Sequence, residues 1–335
     1  MTNINDMTPS EYRFVEHLDE NLMYVASDGD WSFSYEVLES LDQNSTMASL
    51  SDEEREFFAS GSKKCLIKVS PQFFHIIHDT LGLVVSELER TPGVEFIFHM
   101  NSKHSVSSEI LNIVKFIQSS LEARGVRSIF VTLPTRERVA ARNFYYTVDR
   151  SPTMYSIGLI VKFLRDSLSL PDVKPWRKVY LSRGKAPDNS PGLRAKLADR
   201  VPRYINFVDD IRIDDEKKLE EFLQQKGFEI VYPEDFTSFK DQITFMWETR
   251  VIASVTSAGL LNSLFMQDGQ TMLEIQVPLV SVGPGGSVFQ SLHNFYQPIS
   301  YVLKHDYISI PAMRSADLVL SRASNRPYLK ELLSS

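Results

Sequence analysis

Residues 251–276 read VIASVTSAGLLNSLFMQDGQTMLEIQ. Val251 to Val255 is a short run, apolar except for Ser254 and rich in branched side chains, the composition of a strand covered on both faces. It enters four small residues, Thr256, Ser257, Ala258 and Gly259, and the largely apolar segment Leu260 to Met266 predicts a short helix directly after them. Thr271 to Gln276 then reads as another strand. A strand, a helix and a strand in close succession call for a crossover connection, and hence a parallel pair. The same alternation extends upstream: Lys178 to Ser182 as a strand, Asp215 to Lys226 as a helix closed by Gly227, Phe228 to Tyr232 as a strand, and Ser238 to Thr249 as a helix. Ala186 to Arg212 is the least regular part of this half.

A comparable series occupies the first half. Cys65 to Val69 reads as a strand, Gln72 to Glu89 as a helix and Val94 to His99 as a strand. Val106 to Ala123 follows as a helix ended by Gly125, then Arg127 to Thr132 as a strand. Asn143 to Val148 is a further strand candidate, and Ser151 to Leu168 a helix with Ile157, Ile160, Val161 and Leu164 on its apolar face. Pro171 and Pro175 interrupt the pattern and mark a boundary. The expected division is therefore 1–170, 171–315 and a terminal helix within 316–335, Asp317 to Leu333, packing back on the first domain. Ser51 to Glu56 looks like the capped start of a helix, and the rest of the first sixty residues suggests no function. The fold class is α/β with parallel sheets.

A chain of 335 residues with 43% hydrophobic and 24% charged side chains has the composition of a globular protein of two domains. It holds no long apolar run, and Met1 to Glu20 is polar and acidic, without the basic and apolar regions of a secretion signal. The single cysteine, Cys65, precludes an internal disulfide and any multi-cysteine metal site. A cytoplasmic protein without a membrane span is expected. The net charge of -7 argues against general attraction to nucleic acid.

Neither GxGxxG nor GxxxxGK[ST] occurs, and the cluster Gly283, Gly285, Gly286 lacks the strand-to-helix context of a phosphate fingerprint. HExxH, GxSxG and a strand-end DxD are missing too, so no metal or acyl-enzyme chemistry is signalled. The turn Thr256 to Gly259 carries the more specific signal: small residues admit an anion to backbone N–H groups at a helix start. Arg183, followed by Gly184 and Lys185, stands just past another strand end, where a guanidinium can grip phosphate. Glu274, between Leu273 and Ile275, needs polar partners, which ribose hydroxyls would supply. In the first half His75, His78 and Asp79 share a helical face by their spacing, a pairing of imidazole and carboxyl suited to removing a proton from a hydroxyl.

These motifs, in this order, resemble glycosyltransferase family 61. The resemblance rests on Phe74-His75-Ile76-Ile77-His78-Asp79, the segment Arg138 to Val148, Val179 to Lys185, Phe222 to Val231, Ser238 to Gln242, and Ala258 to Met266 with Leu273-Glu274-Ile275. It spans about residues 65 to 310. Thr256-Ser257 stands where many members carry His-Gly, and the segment after Arg183 is longer than in many of them. What the resemblance implies is a GT-B-like architecture, two Rossmann-like domains facing a central cleft, and a nucleotide-sugar donor, UDP-linked, with no metal and no other cofactor. The implied reaction is inverting transfer to an acceptor hydroxyl on a glycan or polysaccharide. Asp79 or His75 would be the base, with His78 on the acceptor side. Arg183, Gly184, Lys185 and the turn Thr256, Ser257, Ala258, Gly259 would hold the diphosphate, and Gln242, Asn262 and Glu274 the nucleotide. Two alternatives stand beside it: transfer to a hydroxylated nucleobase in DNA, and a sugar-nucleotide-binding protein without turnover. An interaction module is the reading from a third class.

Overall fold

The structure, a computed structural model, describes residues 22–28, 32–38, 51–70, 72–101, 107–133, 138–141, 144–146, 154–183, 216–276, 279–282, 288–291, 296–311, 321 and 327. The chain divides into two compact units, Met1–Phe163 and Leu164–Ser335.

The first unit contains β1 Leu22–Asp28, β2 Ser32–Leu38, β3 Lys64–Lys68, β4 Glu95–Asn101, β5 Ser128–Leu133, β6 Arg138–Ala141 and β7 Phe144–Tyr146. Four of them form an all-parallel sheet in the order β5-β4-β3-β7. Cys65, Leu66 and Ile67 of β3 and Phe96, Ile97 and Phe98 of β4 are each buried, so consecutive side chains on both faces are covered. That is why these strands appear in the sequence as continuous apolar runs. The helix Ser108–Glu122 turns Ile110, Ile113, Val114, Ile117 and Leu121 inward at helical spacing. Ser107 caps it by accepting from the Ile110 N–H at 3.2 Å, and Gly125, at φ +73°, supplies the left-handed residue beyond its end. The capped start near Ser51 is a reciprocal box: the Ser51 N–H donates to Glu54 at 2.7 Å, and the Glu54 N–H to the Ser51 hydroxyl at 3.2 Å. A second, antiparallel sheet, β2-β1-β6, takes two of its strands from residues before 51, where the sequence suggested no elements.

The predicted single helix from Gln72 to Glu89 is corrected. Phe73–His75 is one α-helical turn, Ile76–Thr80 is a π-turn and Leu81–Arg90 is α-helix. Thr80 donates its hydroxyl to the Lys68 carbonyl at the end of β3, 3.1 Å away, pinning the wide turn to the strand. Burial of Ile76, Ile77 and Leu81 fixes the helix from its inner side.

The second unit contains β8 Arg177–Leu181, β9 Glu229–Val231, β10 Thr249–Val255, β11 Thr271–Gln276, β12 Leu279–Val282, β13 Val288–Ser291 and β14 Asp306–Pro311. Its sheet is parallel throughout, in the order β14-β11-β10-β8-β9, and β12 pairs with β13 antiparallel. Tyr180, Val251, Ala253, Val255, Leu273 and Ile275 from the sheet pack with Leu219 and Leu223 of the helix Glu216–Gln225. Each aliphatic side chain buried in this way contributes about 1.5–3 kcal/mol. Gly227, at φ +79°, follows that helix.

The expected helix Leu260 to Met266 is a 3-10 helix, Ala258–Phe265, and Leu260 through Phe265 are all buried. A segment covered on every side has no polar stripe to orient an α-helix, and the tighter turn suits a short buried link. β14, on the edge beside β11, is a strand that the sequence pattern did not single out. Gly184, Lys185, the segment Ala186 to Arg212, the Gly283 cluster and nearly all of Asp317 to Leu333 lie outside the described residues. Among the described residues no helix is long and apolar enough to cross a membrane.

Candidate functional site

In the second unit, the carboxyl ends of β8 and β10 carry Ser182-Arg183 and Thr256–Gly259. In a parallel sheet such strand ends are where ligands are met. The two strands are tied by the Ser254 hydroxyl, which donates to the Leu181 carbonyl at 2.8 Å. The Thr256 N–H continues the ladder to the Ile275 carbonyl at 3.0 Å, and the Leu260 N–H closes on the Ser257 carbonyl at 3.0 Å. Between them the N–H groups of Ala258 and Gly259 are the first two of the 3-10 helix and have no acceptor within it.

Buried side chains fix this turn from behind. The Thr256 hydroxyl donates to Glu274 Oε1 at 2.7 Å, and the Tyr307 hydroxyl donates to Glu274 Oε2. Gln242 Nε2 donates to Asn262 Oδ1 at 2.6 Å, and Asn262 Nδ2 donates to the Gly259 carbonyl at 2.8 Å. The Tyr296 hydroxyl donates to the Ser257 carbonyl. Burial, the charge of Glu274 and the neighbouring Tyr307 raise the Tyr296 phenol well above its usual range, while the charge of Arg183 acts in the opposite sense. Burial and the bond to Glu274 raise Tyr307 likewise. Both phenols therefore stay protonated and remain donors.

Two features of the turn bear on what it could bind. Ser257 is only 8% exposed, yet its hydroxyl has no hydrogen-bond partner among the described residues. A buried hydroxyl left unmatched costs about 1–3 kcal/mol. A side chain at Gly259 would place its Cβ 3.3 Å from that hydroxyl and 3.7 Å from Leu181, closer to the hydroxyl than most Cβ contacts allow. Ala258 is exposed and Gly259 half-buried, which keeps this face of the turn accessible.

Arg183 is half-buried. Its N–H donates to Glu216 Oε1 at 3.2 Å, the oxygen that also accepts from the Tyr180 hydroxyl at 2.9 Å. Glu216, at the first turn of its helix, thereby sets the direction in which the chain leaves β8.

Three residues expected to hold the nucleotide lie beneath the turn. Glu274 is fully buried and accepts from the hydroxyls of Thr256 and Tyr307. Asn262 and Gln242 are 0% and 4% exposed and hold each other and the Gly259 carbonyl. All three support the turn from the interior. Tyr296, Tyr307 and Glu216 were missed by sequence reasoning. Nothing local marks them, because each meets its partner across strands or helices distant in the chain.

In the first unit, the π-turn places both predicted histidines on one carboxyl group. His75 Nδ1 lies 2.6 Å from Asp79 Oδ2 and His78 Nδ1 lies 2.7 Å from Asp79 Oδ1. Phe74 stacks on the His78 ring at 4.8 Å between centroids and meets the His75 ring edge-on at 5.3 Å. Burial works against the charge on Asp79, but the hydrogen bonds and charges of the two imidazoles outweigh it and hold the carboxyl below its ordinary value. The side chains of His75, His78 and Asp79 are 45%, 14% and 17% exposed, so His75 is the member that reaches solvent. Among the described residues no cluster of three or more His, Cys, Asp and Glu side chains is arranged to hold a metal ion.

The profile of the glycosyltransferase 61 family matches residues 73–273, more than half of the chain, from the His75 segment to β11. No curated protein is significantly similar in sequence. Among solved structures, E. coli heptosyltransferase WaaC with ADP is 11% identical, with a TM-score of 0.31 over 80% of this chain and 99% of that one.

Proposed function

The chain belongs to the glycosyltransferase 61 family, and from that membership we propose that it transfers a sugar, with inversion and without a metal, from a nucleotide-sugar donor to an acceptor hydroxyl. The donor to try first is UDP-linked, the acceptor class is a glycan, and the two units correspond to the acceptor and donor halves of a GT-B transferase. In this reading the acceptor oxygen attacks the anomeric carbon from the face opposite the leaving group. The bond from that carbon to the phosphate oxygen breaks, and the nucleoside diphosphate leaves with the electron pair. A base in the segment His75 to Asp79 takes the hydroxyl proton. Negative charge gathers on the departing diphosphate, and donors already in place stabilise it without reorganisation.

The observation that carries the reading is the turn itself. The Ser257 hydroxyl, buried and without a hydrogen-bond partner among the described residues, belongs to the same turn as the N–H groups of Ala258 and Gly259, which begin the 3-10 helix where the chain is accessible. Together they form a donor set for anionic oxygen, and Arg183 at the neighbouring strand end adds full positive charge. Glu274, Asn262 and Gln242 serve by holding the turn in shape.

The test is a thermal-shift panel of UDP-, GDP-, CMP- and TDP-linked sugars with EDTA present, on wild type, Arg183→Ala and Ser257→Ala. A donor at a hundred times its Kd stabilises the native state by about 2.7 kcal/mol. A shift confined to one nucleotide class, indifferent to EDTA and reduced in both variants, is the expected result. No shift with any donor would refute the proposed donor site.

A further inference from the structure

The geometry around Asp79 separates the roles of the three polar residues in the π-turn, within the transfer reading above. A neutral imidazole carries one N–H and one lone pair, on different nitrogens. The two Nδ1 atoms at 2.6 and 2.7 Å from the two oxygens of Asp79 leave one consistent arrangement with an ionised carboxyl: both rings donate from Nδ1, one to each oxygen. Each neutral ring then carries its lone pair on Nε2. Asp79 has both oxygens engaged, and the two donors that engage it lower its affinity for a proton. His78 is largely covered and stacked on Phe74, whereas nearly half of the His75 side chain is open to solvent.

We propose that His75 is the base, taking the acceptor hydroxyl proton at Nε2, and that Asp79 and His78 are positioning residues. Asp79 fixes the His75 tautomer and ring plane and stabilises the imidazolium that forms. His78 holds the other carboxyl oxygen, so that the carboxyl cannot rotate away from His75. The step balances: the hydroxyl proton moves to Nε2, the oxygen's electron pair forms the new glycosidic bond, and Nδ1–H remains on the ring throughout. A π-turn brings the i and i+4 side chains and the adjacent i+3 residue onto one carboxyl, an arrangement that such turns often serve at functional sites.

The experiment has one arm that needs no substrate and one that does. Long-range proton–nitrogen NMR spectra of the imidazole rings, assigned with His75→Gln and His78→Gln, report which nitrogen of each ring is protonated at pH 8. The expected result is Nδ1–H on His75 with a bare Nε2, lost in Asp79→Asn and retained in His78→Gln. In the carbon spectrum the Asp79 carboxyl should titrate higher in His78→Gln than in wild type. A His75 ring protonated on Nε2, or an Asp79 titration unchanged by removing His78, would overturn the assignment. In the second arm, release of nucleoside diphosphate from whichever donor gives the thermal shift is compared between wild type and His75→Gln. A loss of about 10²–10⁴-fold with the thermal shift intact is expected for a general base. Equal turnover overturns the base role while leaving donor binding standing. A wild type that neither binds nor turns over any donor removes the transfer reading and the base role with it, whatever the ring tautomers are.

Discussion

Replacing His99 with leucine should remove a defined part of the acid sensitivity of the first unit. His99 lies in β4, opposite Lys68 of β3 and Val131 of β5, and is 2% exposed. Burial, reinforced by the nearby charge of Lys68, holds its imidazole at a pKa of about 4 against an ordinary value of 6.5. Between those two values the unfolded chain binds a proton that the folded chain refuses. Stability is therefore complete above the unfolded value and declines as the pH falls from 6.5 towards 4. At 1.36 kcal/mol per unit the whole effect is about 3 kcal/mol, of which about 2 kcal/mol is lost between pH 7 and pH 5. Urea unfolding of wild type and His99→Leu at both pH values isolates this contribution. His305, whose imidazole burial also lowers, and every other titrating group contribute equally to the two proteins and cancel in the comparison. Wild type should lose about 2 kcal/mol more than the variant on going from pH 7 to pH 5. Identical losses in the two proteins would refute the reasoning, because they would mean that His99 protonates in place or is not buried.

Gly259→Ala should leave the melting temperature nearly unchanged but weaken donor binding about tenfold, because the new methyl group crowds the Ser257 hydroxyl at 3.3 Å; isothermal titration with the donor checks this. Tyr307→Phe leaves Glu274 Oε2, in a fully buried side chain, without the phenol that donates to it. The expected loss is about 1–3 kcal/mol by urea unfolding, with a smaller loss in Thr256→Val/Tyr307→Phe than the sum of the single changes.

Much of this protein was legible along the chain because its strands are short and covered on both faces. Cys65 to Ile67 and Phe96 to Phe98 are apolar without interruption, and Val251 to Val255 is apolar except for Ser254, because burial of both faces favours apolar side chains at every position. The turn Thr256 to Gly259 and the spacing of His75, His78 and Asp79 could likewise be read directly, since each depends on residues within one or two turns of one another. What the sequence alone determined was thus most of the buried parallel strands and the residue types that stand at their ends.

Strand order, the π-turn and the supports of the site belong to the tertiary structure. β14 joins the sheet beside β11 through a parallel ladder that no neighbouring residue announces. The π-turn coincides with the hydroxyl bond from Thr80 to Lys68, across twelve positions of sequence. Along the chain Glu274 reads as a carboxyl in need of partners because Thr256 and Tyr307 are 18 and 33 residues away, and only strand order brings them to it. A buried carboxyl takes the donors that the packed neighbours supply, and the identity of those neighbours is a property of the assembled sheet rather than of any stretch of chain.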